Sequence, residues 1–195
     1  VEDDPEYARW LRMLIAPGGS LGGARPKASV RDEHEHLWIA KFPSRNDDDD
    51  IGAWECVVHE LAGLAGVIAP RAQSRRFGTR DGIEHHTFLS RRFDRTDNGE
   101  RLHFASAMTL LDRVDGQGAE EGVSYLELAD LLMRVGAHTS ADLEQLWRRI
   151  VFFICVSNTD DHLRNHGFML NPSGWSIAPA YDMNPDPHGA GLKLN

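Results

Sequence analysis

The 195-residue chain carries 21 Lys and Arg against 30 Asp and Glu, a formal net charge of −9, which excludes a broad sequence-independent grip on nucleic acid because phosphate binding needs a surplus of cations along one face. Cys56 and Cys155 lack C-x-x-C spacing, so neither a disulfide framework nor a zinc site is expected and both should be buried free thiols. No secretory leader is recognisable and no apolar run reaches the roughly 18–20 residues that span a bilayer, so a cytoplasmic chain of one domain or two small lobes is expected.

"PEYARWLRMLIA" spaces Tyr7, Trp10, Leu11, Leu14 and Ile15 as a helix that Pro17 stops. A glycine-rich stretch, "GGSLGGARPK", then leads into "ASVRD" and "HLWIAKF", two strands joined by "EHE". "RNDDDD" reads as a solvated loop whose acids suit the start of the next helix, and no catalytic role is expected of it. In "IGAWECVVHELAGLAG" the stripe Trp54, Val57, Val58, Leu61 and Leu64 predicts an amphipathic helix, closed at Gly66 and packed on a sheet. "APRAQSRRF" and "IEHHTFLSRRF" flank "GTRDG" as a second hairpin. From "HFASAMTLLDRV" the pattern turns helical. "SYLELADLLMRV" opens on a Ser124/Glu127 capping box, and "SADLEQLWRRIVFFICVSN" should be a buried spine. That helix delivers the chain to "SNTDDHLRNHGFML", after which "GFML", "NPSG" and "WSIAPAYD" read as another hairpin. The expected fold is α+β, with a β-rich lobe over 1–95 and a helical lobe over 96–195. Because the chain opens on Val1 and stops in the strand-like "GLKLN", it is expected to be a fragment of a longer one.

Five features carry chemistry. The glycine loop from Gly18 to Lys27 suits backbone N–H groups turned toward phosphate, although such clusters before a strand are more often plain turns. Lys41, on the strand "LWIAKF", either keeps its amine in solvent or reaches an interior phosphate. Glu55, early in the next helix, is either an exposed first-turn acid or a functional one. Asp160-x-x-x-x-Asn165, with His162 between, has the spacing at which protein kinases set a base and a metal-binding asparagine in one tight loop. Asp182, in "APAYDMNP", is a candidate second metal carboxylate. Together these follow the order of kinase parts. A metal-dependent phosphohydrolase built from Asp160, Asp161, His162, His166 and Asp182 is a rival, and a catalytically silent nucleotide-binding partner of a DNA-binding antitoxin is another.

"GSLGGARPK", "LWIAKFP", "WECVVHELAGLAGV", "NTDDHLRNHGFML" and "GWSIAPAYDMNP" together resemble the HipA family of bacterial serine/threonine kinases, toxins of HipA–HipB toxin–antitoxin systems. The resemblance implies a bilobal protein-kinase-like fold, ATP and Mg²⁺ as cofactors, and phosphorylation of a protein hydroxyl. It also implies a HipB-like antitoxin partner through which any DNA is met, and substrates that include aminoacyl-tRNA synthetases. It carries the catalytic base onto Asp160, metal binding onto Asn165 and Asp182, and phosphate binding onto Gly22, Gly23, Ala24, Arg25, Lys27 and Lys41. His162 and Asn165 are placed with the catalytic residues, and His162, Glu55, Asn165, Tyr181 and Asp182 with the nucleotide site. The adenine-contacting linker falls on Arg91, Arg92 and Phe93, and the autophosphorylated serine on Ser20. Asp161 stands where a small residue is common in the family, and its charge is expected either to raise the pKa of the base or to recruit a second metal. Relative to full-length members, the resemblance leads one to expect that an N-terminal subdomain and the end of the helical lobe are missing.

Overall fold

The structure, a computed structural model, describes residues 25–44, 47–76, 85–186, 189, 192 and 194. The expected helix over 7–15, the positions Ser20, Gly22, Gly23 and Ala24, the turn at 78–82 and most of the strand expected over 191–195 lie outside them. The chain falls into two units. One draws on residues up to Val57 with Arg71–Arg92 and Asp97–Gly99; the other on Val58–Pro70, Phe93–Thr96 and the residues from Glu100 on.

The first unit is built on an antiparallel sheet of β1 (Lys27–Arg31), β2 (Leu37–Lys41), β4 (His86–Arg91) and β3 (Ala72–Arg76), in the order β1-β2-β4-β3. Both expected hairpins are present as strand pairs. The first turns on Asp32, whose carboxylate accepts from the backbone N–H groups of His34 and His36 and from the indole of Trp38, each at 2.9 Å. An aspartate folding back on its own turn in this way fixes the register of the flanking strands.

Helix α1 (Ile51–Leu64) begins at Asp50, whose carboxylate accepts from Ala53 N at 3.1 Å and from His86 N at 2.9 Å, binding the helix start to β4. The acidic run is therefore not simply solvated. Asp47, within it, holds Arg25 by two hydrogen bonds at 2.5 and 2.8 Å, while Asp48 and Asp49 are exposed. The first turn comes so close to β4 that a Cβ on Gly52 would lie 2.0 Å from His86 O. At its far end Gly66 adopts φ +76° and Val67 N donates to Ala62 O at 2.9 Å, closing the helix as expected. The buried face differs from the expected one: Glu55, Val58 and Ala62 are inside, whereas Trp54, Val57, Leu61 and Leu64 are exposed. Spacing alone fits both faces, and the face that turns inward is the one whose glutamate meets a cation.

In the second unit α3 (Tyr125–Val135) and α4 (Thr139–Cys155) pack with an antiparallel sheet of β5 (Phe104–Ser106), β6 (Gly167–Asn171) and β7 (Gly174–Ile177), and α2 (Ala107–Leu110) follows β5. The capping box is present: Ser124 N donates to Glu127 Oε2 at 3.3 Å. β5 corrects the helical expectation for "HFASAM". Three residues are too few to show a period of two, and its pairing with β6 decides the matter. Two apolar clusters form the core, one around Leu128, Leu132, Leu146 and Phe168, the other around Val58, Ala62, Phe152 and Phe153. α4 is not a buried spine. Leu146, Arg149, Phe152 and Phe153 face inward, but Trp147, Val151 and Ile154 lie exposed on the other side. The cysteine expectation fails for the same reason, since Cys155 sits on that open side and Cys56 is only half-buried. Among the described residues no helix is long and apolar enough to cross a membrane.

Candidate active site

In the first unit the structure joins two of the sequence candidates. Lys41 Nζ forms an ion pair with Glu55 Oε1, the side chains 11% and 4% exposed. β2 ends at Lys41 and the first turns of α1 carry Glu55, so a strand and a helix present opposite charges to one buried point. The ammonium also lies 5.6 Å from the Phe88 ring centroid. A buried cation needs such partners, because desolvation without them costs several kcal/mol. Arg25, Lys41, Glu55 and His86 line one small pocket together with Phe42, Pro43 and Ile51. Arg25 is engaged with Asp47, so its guanidinium is committed to the loop before α1. Lys27 lies on β1, directly opposite Lys41 in the strand register. Arg91 pairs with Asp97, and Arg92 N donates to Leu37 O at 2.9 Å.

In the second unit α4 ends at Cys155 and the chain turns sharply, with Ser157 at φ +52°. Asp160 is exposed at the tip. Asn165 is buried and donates from Nδ2 to the Asp160 carbonyl at 2.9 Å, while Asn165 N donates to His162 O at 2.8 Å, so the asparagine closes the loop on the residue proposed as base. The segment after β7 is tied to this loop three times: Asn184 N to Asn158 Oδ1 at 3.3 Å, Thr159 Oγ1 to Asp186 Oδ2 at 3.0 Å, and Asp186 N to Ser157 O at 2.9 Å. Asp182, at the head of that segment, has φ +59° and accepts from Asn184 Nδ2 at 3.2 Å. A non-glycine residue in the left-handed region costs about 1–3 kcal/mol and is characteristic of sites whose surroundings over-determine the backbone.

Asp161 departs from expectation. It is 0% exposed, and its Oδ2 accepts from the Tyr125 hydroxyl at 2.5 Å and lies 2.9 Å from His166 Nε2. Two residues of the rival two-metal cluster, Asp161 and His166, are thus spent on each other, and among the described residues no three His, Cys, Asp or Glu converge as a metal cage. Phe93 packs against Tyr181 and Phe104 at ring distances of 5.6 and 5.8 Å. Tyr181 OH donates to Arg164 O at 2.6 Å, and burial pushes its pKa upward. His162, Leu163 and Arg164 line one side of a groove with Asp115, Glu120 and Glu121.

Sequence reasoning missed Tyr125, Arg149 and the tie through Thr159 and Asp186. Arg149 left a signal, since a cation inside "RRIVFFIC" must find buried partners if its face packs. It is 1% exposed and donates to Ala178 O.

The donor chemistry of Asn165 and Asp182 suits a nucleotide-borne Mg²⁺. With Nδ2 committed to a carbonyl, the Asn165 amide offers its oxygen, and the Asp182 carboxylate offers hard oxygens. Mg²⁺ takes one or two such protein ligands and fills its remaining positions with phosphate oxygens and water.

A family model described as HipA-like C-terminal domain matches residues 19–195. A Haemophilus influenzae protein named "Putative kinase" is 26% identical over 179 residues, covering 85% of this chain and 52% of its own length. "Putative kinase Y4mE" of Sinorhizobium fredii is 25% identical over 152 residues, covering 74% and 33%. Among solved structures, HipA from the Shewanella oneidensis HipA–HipB–operator DNA complex aligns with TM-score 0.70 at 21% identity, over 92% of this chain and 47% of that one. The Helicobacter pylori proinflammatory kinase CtkA aligns with TM-score 0.57 at 16% identity, over 80% and 54%. The chain spans about half the length of the first curated relative and a third of the second. The expected kinase-like α+β fold is the one these structures share.

Proposed function

The chain belongs to the HipA-like C-terminal domain family, and from that premise we propose that it forms catalytic parts of an ATP-dependent serine/threonine protein kinase. The observation that carries this reading is the buried Lys41–Glu55 ion pair, the strand-lysine to helix-glutamate pairing on which kinase phosphoryl transfer depends. Glu55 holds the Lys41 ammonium in one rotamer, and that ammonium meets phosphate oxygens. Asn165 and Asp182 hold the metal. Mg²⁺ and ATP, when bound, supply the phosphoryl group and the positive charge that offsets its leaving oxygens. Asp160, exposed in the closed loop, orients the substrate hydroxyl and takes its proton as the hydroxyl oxygen bonds to the γ-phosphorus of ATP and the bond from that phosphorus to the β-phosphate oxygen breaks, with ADP as the leaving group. Arg91, Arg92, Phe93, His162 and Tyr181 stand as further nucleotide contacts, and the glycine loop through Lys27 as the phosphate cover.

The HipA–HipB–operator DNA neighbour supports a HipB-like antitoxin as partner. A net charge of −9 accords with DNA being met through that partner. The substrate class is a protein hydroxyl, aminoacyl-tRNA synthetases included, in the cytoplasm. Ser20 is the proposed autophosphorylation site. About two added negative charges there oppose ATP phosphates, so phosphorylated protein, checked by mass spectrometry, is expected to bind ATP about tenfold more weakly. Undiminished affinity leaves Ser20 as a turn residue. The reading as a whole is tested by incubating the full-length chain with γ-labelled ATP and Mg²⁺. Label on protein supports it, release of label to water favours a hydrolase, and no turnover favours a silent nucleotide binder.

A further inference from the structure

Two adjacent aspartates in the loop have opposite fates. Asp160 is exposed and Asp161 is fully buried, so the peptide between them is a pivot with one end fixed inside the unit. We propose that Asp161 is a positioning residue: its carboxylate, held by Tyr125 from α3 and by His166 from the approach to β6, sets the turn of chain that presents Asp160. The proposal rests on the kinase reading only for the role of Asp160; the anchoring itself is independent of it.

Each partner of Asp161 is itself fixed. The Tyr125 ring lies edge-on to the His166 ring, centroids 5.8 Å apart at 84°, and Phe153 of α4 packs on the same imidazole at 6.3 Å. His166 O accepts from Ala107 N at 2.7 Å, and Leu163 O from Met108 N at 3.3 Å, so the loop is also stitched to α2. Burial and the neighbouring carboxylate both raise the Tyr125 pKa, which keeps the phenol a donor at any working pH. Beneath the loop stands Arg149. Its desolvation lowers its pKa to about 10, so it stays charged near neutrality beside the buried Asp161 carboxylate. The same guanidinium donates to Ala178 O, four residues before Asp182. One buried charge cluster therefore reaches both loops that carry the candidate base and metal ligands. Replacing buried ionic groups by a well-packed apolar set of equal volume is often neutral for stability, and the proposal assigns this cluster to fixing the geometry of the loop.

The test uses the full-length chain and two conservative variants, Tyr125→Phe, which removes one donor to Asp161, and Asp161→Asn, which keeps an acceptor and removes the charge. Hydrogen exchange followed by mass spectrometry reads the anchor directly, and kcat against KM for ATP reads its consequence well below the melting temperature. The expected result is exchange about tenfold faster over residues 159–166 with α3 and α4 unchanged, and kcat about tenfold lower with KM for ATP within about twofold. Unchanged loop exchange, exchange rising equally across the unit, or a loosened loop with unaltered kcat would each overturn the proposal. Should the unmodified protein transfer no phosphoryl group, the kinase reading fails by itself, and the exchange data alone decide whether Asp161 anchors the loop.

Discussion

Lys41 and Asp182 are assigned to the same nucleotide by different physics, and that difference can be measured. On the proposed reading Asp182 meets nucleotide only through a metal, so Asp182→Ala should weaken ATP binding by about 10–100-fold in Mg²⁺, the worth of one lost hydrogen-bonded charge, and hardly at all in a chelator. Lys41→Ala should lose about tenfold or more in both conditions, because on the same reading its ammonium meets phosphate directly. Equal losses for Asp182→Ala with and without Mg²⁺ would remove the metal assignment. Asp142 gives a second test at this scale. Burial raises its pKa above the ordinary carboxylate value, so the folded state favours the protonated form, and that contribution to stability is lost as pH rises through the raised pKa. Asp142→Asn should therefore melt higher than the unmodified chain at pH 7, with the gain fading as pH falls toward the ordinary carboxyl pKa of about 4. A gain independent of pH contradicts it. Spacing made Asp160, Asn165 and Asp182 visible as candidates. It could not distinguish Asp160 from Asp161, because two neighbouring carboxylates are chemically alike until one of them is buried.

α1 ties the Lys41–Glu55 pair to the sheet, and its two interior glycines separate packing from propensity. A Cβ at Gly52 would lie 2.0 Å from a carbonyl oxygen of β4, whereas one at Gly63 would meet nothing within 4 Å. Gly52→Ala should cost about 2–4 kcal/mol and loosen the helix start, and Gly63→Ala should stabilise by about 0.5–1 kcal/mol through the lower chain entropy of alanine. Denaturant unfolding of the two variants checks the pair, and similar effects from both would show that the close approach to His86 is not rigid. Sequence periodicity found this helix, its Gly66 stop, both hairpins of the first sheet and the capped start of α3. It missed which face of α1 turns inward, since the stripe through Trp54 and Leu61 is as helical as the one through Glu55 and Ala62, and only the position of Lys41 on β2 separates them. β5 was missed because strand identity in three residues comes from a partner 60 or so positions away, a contact that no local pattern encodes.

At the scale of the molecule, each unit carries half of the proposed machinery: the lysine–glutamate pair in one, the Asp160 loop and Asp182 in the other. The chain corresponds to about half the length of its first curated relative, so the proposed activity is to be measured on a chain of that full length. The order of candidate parts along the chain, glycine loop to strand lysine to helix glutamate to Asp/Asn loop to late aspartate, could be set out from the sequence because the proposed phosphoryl transfer names which groups it needs; of these the structure joins Lys41 to Glu55 and Asn165 to the Asp160 carbonyl. The buried polar cluster that supports the loop was not, because its members are far apart in sequence. The most direct measurement is single-turnover transfer from γ-labelled ATP by the full-length chain and by its Asp160→Asn variant, a change that keeps side-chain volume and removes the proton acceptor. The expected result is a loss of about 10²–10⁴-fold in the transfer rate with ATP affinity within about twofold; transfer at a near-unmodified rate in the variant would contradict the assignment of Asp160 as the base.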